Sequence, residues 1–328
     1  MAPGKYAPID PSRIKTYSIE RRPHKVSTAA LAGLPAAGAS AADLLASMPD
    51  VLGVRQFRAT VDAIVGAVRH GRPVVLAMGA HVVKVGCSPV VVDLIRRGIV
   101  SGVACNGAFA IHDVELATVG ATSEEVADSI RDGSFGMVAQ TLEFFRRAGD
   151  AACEHDLGLG QAVGRLLAEA RPPFLDTSVL AAAYEASIPA TVHVALGTDT
   201  VHMTDAADGA RIGAASLRDF RLICSVVADL GATDPPGVGG VWVNLGSAVV
   251  MPEVFLKAVC VARNLGADLD AMTSANFDML RHYRPHVNVV TRPVTSGRGH
   301  EVTGHHEILL PLLRCAVIEQ LQAQGAGS

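Results

Sequence analysis

His112, Asp113 and Glu115 form the densest polar cluster in an otherwise apolar, alanine-rich segment. On a helix, His112 and Glu115 stand three apart and share a face. Such a pair suits a general base with an orienting carboxylate, or a seat for a cationic amine. A capped helix start with a solvated face would need the same residue types and no chemistry. Their position straight after Asn106-Gly107 favours the functional reading.

Lysine is scarce enough to limit mechanism. The chain has five: Lys5, Lys15, Lys25, Lys84 and Lys257. Three lie near the start, so an imine-forming lysine must be Lys84 or Lys257. Lys84 falls in the first strand–loop crossover, beside the cofactor edge, whereas Lys257 sits in an apolar helical pattern that suits a snorkelling side chain. His300, His305 and His306 stand near Glu307, but the adjacent pair points in different directions and suits a single ion poorly. Pro285 interrupts the turn between His282 and His286. No HExxH occurs, and we predict no metal site.

Six cysteines are widely spaced without a CxxC pair. They read as reduced thiols and predict a cytoplasmic protein. Cys87 and Cys105 alone fall on loops next to the candidate site. The formal net charge of −4 leaves no basic footprint for nucleic acid or an anionic membrane. No apolar run is long enough to span a bilayer. The N-terminus is polar and proline-bearing, unlike a signal peptide.

The elements that must position these residues alternate between strand and helix. Residues 1–33 read as an N-terminal arm suited to wrapping a neighbouring subunit, and 34–328 as one α/β domain. Ser40 is a helix N-cap, and Val54–His70 has apolar residues at helical spacing. A buried strand, Val74–Met78, is followed by a small-residue loop (Gly79–Ser88), a helix (Pro89–Arg97) and a strand (Val100–Ala104). Helices are predicted over Ser134–Arg147, Ala151–Ala170 and Val179–Ser187. Strands then follow at Thr191–Leu196, Gly239–Asn244, Leu269–Thr273 and His286–Val290. Helices over Ala215–Leu230 and Pro252–Leu265 separate them, and Glu307–Gln320 closes the chain. Short apolar strands separated by helices predict a mostly parallel sheet covered on both faces, a Rossmann-like α/β class. Most strands end in small polar residues, which lines up Asn106, Asp199, Gly246-Ser247 and Thr273-Ser274 along one sheet edge. Ligands bind at that edge in such folds. A P-loop and a well-placed GxGxxG are both missing. A dinucleotide can still use backbone amides of the strand-end loops, with Asp199 accepting from ribose hydroxyls.

The block MGAHVVKVGCSPVVVDLIRRGIVSGVACNGAFAIHDVE resembles the deoxyhypusine synthase-like superfamily. TDTVHM, NLGSAVVMPEVFLKA, TSANFD and EILLPLL follow in the order of that family's later motifs. Asn106 to Glu115 is also similar to the NALAVHDIE-like element of NAD-dependent ornithine cyclodeaminases. The resemblance covers roughly Val74 to Leu313. It implies an NAD-binding enzyme acting on a polyamine or basic amino acid, and a homo-oligomer, which is a tetramer in that family. Strand ends and resemblance together mark His81, Ser88, Asn106, Gly107, Ala108, Asp199, Gly246, Ser247, Thr273, Ser274 and Ala275 as cofactor contacts. Catalytic candidates are Lys84, His112, Asp113 and Glu115, and substrate candidates are Asp205, Glu253 and His305. One departure matters: the family's Trp-Gly-Lys motif before the last strand is replaced by RPHVNVVTRPV, which has no lysine. Three functions remain open. The first is hydride transfer from an amine to NAD, with imine formation and release of ammonia or an amine. The second is aminobutyl transfer of the deoxyhypusine or homospermidine synthase type with Lys84 as the relocated lysine. The third is a non-catalytic NAD-binding scaffold or sensor.

Overall fold

The computed structural model describes residues 4, 6–231 and 236–325. Its centre is a six-stranded sheet in which every pairing is parallel. In chain order the elements are α1 (Ala41–Ser47), α2 (Leu52–Arg69), β1 (Val74–Met78), α3 (His81–Lys84), α4 (Ser88–Arg96), β2 (Gly102–Asn106), α5 (Gly107–Val119), α6 (Val126–Asp132), α7 (Ala139–Glu154), α8 (Leu159–Ala170), α9 (Val179–Glu185), β3 (Ala190–His193), α10 (Gly209–Ala228), β4 (Val241–Leu245), α11 (Val250–Asn264), β5 (Thr273–Asp278), α12 (Tyr283–Pro285), a π-helix (His286–Thr291), β6 (Gly299–Thr303) and α13 (His306–Gly325). The strand order is β3-β2-β1-β4-β5-β6. Chain direction across the sheet therefore reverses between β1 and β4, where open α/β sheets of this order take their ligands.

The core explains why the strands read as unbroken apolar runs. All five residues of β1 are buried, as expected for a parallel strand covered on both faces. Leu76 and Met78 pack with Phe57 and Ile64 of α2 and with Leu310 of α13. Val75 and Ala77 face the other way, into a cluster with Ile223 of α10 and Phe255 of α11. Trp242, the chain's one tryptophan, is wholly buried there. It stacks on Phe255 with ring centroids 4.4 Å apart.

Several boundaries differ from the sequence expectation, each for a physical reason. The fifth strand is Thr273–Asp278, not Leu269–Thr273. Leu269 and Met272 are buried plugs that precede the strand. The strand's polar residues are tolerated because Ser274 Oγ donates to the Val289 carbonyl at 2.5 Å, and Asn276 Oδ1 accepts from Asn244 Nδ2 at 2.8 Å. His286–Val290 forms a π-helix rather than a strand, and the last strand comes later, at Gly299–Thr303. The predicted Gly79–Ser88 loop contains the short helix α3. The predicted helices over Ser134–Arg147 and Ala151–Ala170 are instead α7 and α8, with the break at residues 155–158. The N-terminal segment carries three isolated 3-10 turns and leaves Tyr6, Ile9, Tyr17 and Leu34 exposed. No helix among the described residues is long and apolar enough to cross a membrane.

Candidate functional site

The register places Met78, Cys105, Val192 and Leu245 level with one another at the carboxyl edge, with Asn106 and His193 paired one residue further on. From β2 the chain turns directly into α5. Asn106 caps that helix, its Oδ1 accepting from the Phe109 amide at 2.9 Å, and Gly120 ends it in the left-handed region. The loop after β3 then brings Asp199 back over the start of α5. Its carboxylate lies so close to the Gly107 Cα that any side chain at 107 would overlap it. Asp199 is buried, and burial raises its pKa. An anion at a helix N-terminus is favoured by the exposed amides and the helix dipole.

Beside α5 lies a cleft of about 1040 Å³. Its floor is His112 and Glu115, and Lys84 of α3 and Arg147 of α7 also line it. Thr198, Asp199 and Thr200 line it as well. The loop after α5 folds back so that Thr122 sits between the two floor residues. The Thr122 hydroxyl donates to Glu115 Oε2 at 2.5 Å, and its oxygen is 2.6 Å from His112 Nδ1. Thr141 of α7 donates to the other Glu115 oxygen at 3.1 Å. Because the Thr122 proton goes to the carboxylate, its oxygen must accept from His112. That makes His112 the Nδ1–H tautomer and leaves Nε2 with a free lone pair. Burial holds the His112 pKa below the usual imidazole value, opposed by Glu115 and assisted by Lys84. The result is a neutral, oriented base at neutral pH.

Asp113 does something else. It is fully buried and turned away from the cleft. Its carboxylate accepts from Ser178 Oγ at 2.6 Å, the Val179 amide at 2.8 Å and the Leu180 amide at 3.2 Å. It therefore pins the start of α9, and burial pushes its pKa up to about 6. The expectation that Asp113 is a catalytic residue is corrected: one step along a helix from His112 swings a side chain by about 100° onto the core face.

The other predicted residues separate into groups. Asn106, Gly107, Ala108 and Asp199 come together at the start of α5. Gly246 and Ser247 lie across the switch point, where the Gly79 amide donates to the Leu245 carbonyl at 2.9 Å. Gly246 takes a φ of 61°, and the His306 ring leaves no room for a side chain there. His306 meets His81 edge-on with centroids 5.6 Å apart. Ser88 is buried at the start of α4. Thr273, Ser274 and Ala275 lie within β5, whose carboxyl end is Asp278, so they form no turn at the edge. The substrate candidates are not brought to the cleft. Glu253 is held by Lys257, Arg284 and Asn288. His305 is exposed beside Glu307, and Asp205 is an exposed loop residue. The sequence reading missed Thr122 and Thr141 as partners of the base. The available signal was Gly120, a helix stop that sends the chain back over its own helix.

No protein-family model matches the sequence, and no curated protein does. Solved structures show the fold's relatives. AgrE in ternary complex with ornithine and NAD+ superposes with a TM-score of 0.53 at 15% identity, covering 84% of this chain and 35% of that one. Unliganded AgrE gives 0.52 at 17% identity, covering 83% and 34%. A putative deoxyhypusine synthase from Entamoeba histolytica gives 0.50 at 12% identity, covering 86% and 94%. The chain thus spans about a third of AgrE's length and nearly all of the amoebic protein's. At these identities the likeness establishes a shared Rossmann-like fold.

Proposed function

We propose that this protein is an NAD-dependent enzyme that oxidises a small amine-bearing substrate. The observation that carries the reading is the His112–Thr122–Glu115 chain on the floor of a large cleft at the carboxyl edge of a 3-2-1-4-5-6 sheet. AgrE, on the same fold, holds ornithine and NAD+ together.

The residues present fit a dinucleotide. Small residues follow β1, β2 and β4, and at Gly107 and Gly246 the space for a Cβ is already taken. Asp199, buried at the start of α5, suits the hydroxyl groups of a ribose as an acceptor. Asn106, Gly107, Ala108 and Asp199 would hold one end, with His81, Gly246 and Ser247 along the switch point. NAD, when bound, supplies the hydride acceptor.

The chain's own contribution is the proton. As the substrate carbon loses hydride, its amine nitrogen must lose a proton to form an imine. His112 Nε2 is placed to take it. The positive charge then arising on the imidazole is stabilised through Thr122 by the Glu115 carboxylate. Water attack on the imine completes the release of ammonia or an amine. The missing Trp-Gly-Lys lysine disfavours aminobutyl transfer, which needs a covalent amine carrier.

The test is a thermal melt with NAD followed by a screen of amines for reduced cofactor. An upward shift with NAD and an increase in reduced cofactor with one amine are expected. No shift at millimolar NAD would sink the proposal.

A further inference from the structure

The charges in the cleft are unevenly engaged. Glu115 accepts from two threonines, Glu143 is paired with Arg146, and Glu124 accepts from the Gly136 amide. Lys84 and Arg147 line the same cleft, and neither is within salt-bridge distance of a carboxylate among the described residues, although Arg147 is near enough to Glu143 to help lower its pKa. They come from α3 and α7, two elements that both pack against α5. Lys84 is near enough to lower the His112 pKa.

An ammonium and a guanidinium lining one cleft, neither locked in a salt bridge, match an anionic group on the ligand. Arg presents a planar fork to carboxylate oxygens, and Lys adds a point charge. Two sources could supply that anion: a substrate carboxylate or the cofactor's diphosphate. The position favours the substrate. At the start of α5, where a diphosphate would meet helix amides, the Asp199 carboxylate already occupies the place. The two cations instead share the cleft with His112, about 7 Å further along the helix at 1.5 Å per residue.

We infer that the substrate is an amino acid whose carboxylate is held by Lys84 and Arg147, and that a polyamine is not the substrate. This rests on the amine-oxidation reading above and names its substrate class. The carboxylate would fix the amino group over His112 Nε2. A polyamine has nothing to offer either cation and would add positive charge beside them.

Matched pairs that differ only in the carboxylate test it: ornithine against putrescine, and lysine against cadaverine. Titration calorimetry on the full chain begins with NAD alone, which tests the cofactor reading separately. With NAD bound, at least one amino acid should bind 10–100-fold more tightly than its decarboxylated partner. Lys84→Met and Arg147→Met should each remove most of that preference and leave NAD affinity unchanged. Equal or tighter binding of the diamines, or failure of both classes to bind, overturns the inference. So does a preference that survives both substitutions. A fall in NAD affinity in either variant would assign the cations to the diphosphate and overturn it as well.

Discussion

At the scale of single residues, His112 and Asp113 are neighbours with opposite surroundings. One faces a solvent-filled cleft and is kept neutral; the other is sealed in the core as an anchor. Their variants should separate cleanly. His112→Gln should cut turnover by roughly 10²–10⁴-fold, the usual worth of a general base, and leave the melting temperature nearly unchanged. Asp113→Ala leaves a hydroxyl and two amides without their acceptor. It should destabilise the fold by about 3 kcal/mol in urea unfolding, with near-normal turnover in the molecules that remain folded. The pH profile gives a finer check. Activity needs neutral His112, so it should fall on acidification with an apparent pKa below the ordinary imidazole value. Lys84→Met removes a cation that lowers that pKa, so the acid limb should move to higher pH. Thr122→Val breaks the link to Glu115 and should move it to lower pH. Steady-state kcat/KM across pH 4–8 measures both. The HDVE cluster was legible in the sequence as types and spacing. Which member faced the cleft was not, because that depends on the helix's rotation against the sheet.

At the scale of elements, the site depends on how α5 is held. Asn106 caps it, Gly120 stops it, Asp199 sits on its first turn, and Asp113 ties it to α9. Gly107→Ala would push the Asp199 carboxylate from its seat without touching the strand ladder. It should weaken NAD binding about 10-fold or more in titration calorimetry, with a folded circular dichroism spectrum. The strand–helix alternation was legible because parallel strands bury both faces and read as apolar runs. β5 broke that rule. Its Ser274 and Asn276 are buried because hydrogen bonds to Val289 and Asn244 satisfy them, and those partners lie far away in sequence. The same polarity disguised a strand interior as a strand end. The π-helix at His286–Thr291 was equally hidden, since a short apolar run has no period to distinguish it from a strand.

At the scale of the whole molecule, buried titratable groups tie stability to pH. Asp219 of α10 is fully buried and accepts from the amides of Gly160 at 3.0 Å and Val192 at 2.9 Å, joining α8 to β3. Burial pushes its pKa up to about 7, against 3.8 when exposed. The folded state therefore holds a proton that the unfolded state releases between those values. The group costs nothing below about pH 4 and destabilises progressively as pH rises to 7. Asp219→Asn, which cannot ionise, should gain stability relative to the parent by about 2–3 kcal/mol between pH 5 and pH 8. Urea midpoints at the two values measure it, and a gap that stays constant would refute it. His193 works in the other direction. Burial depresses its pKa to about 4, so its contribution is lost as pH falls from 6.5 towards 4.

The lone tryptophan gives these experiments an optical handle. Trp242 is wholly buried in β4, a strand that borders the switch point, stacked flat on Phe255. An indole so placed emits at the blue end of its range and reddens only when the sheet opens, so one wavelength reports global unfolding. Its emission also overlaps the near-ultraviolet absorption of a reduced nicotinamide. A dinucleotide bound along the carboxyl edge would lie within the range of dipolar energy transfer from β4. Turnover on the enzyme would then appear as a dimming of the protein's own fluorescence, without a label and before any product leaves.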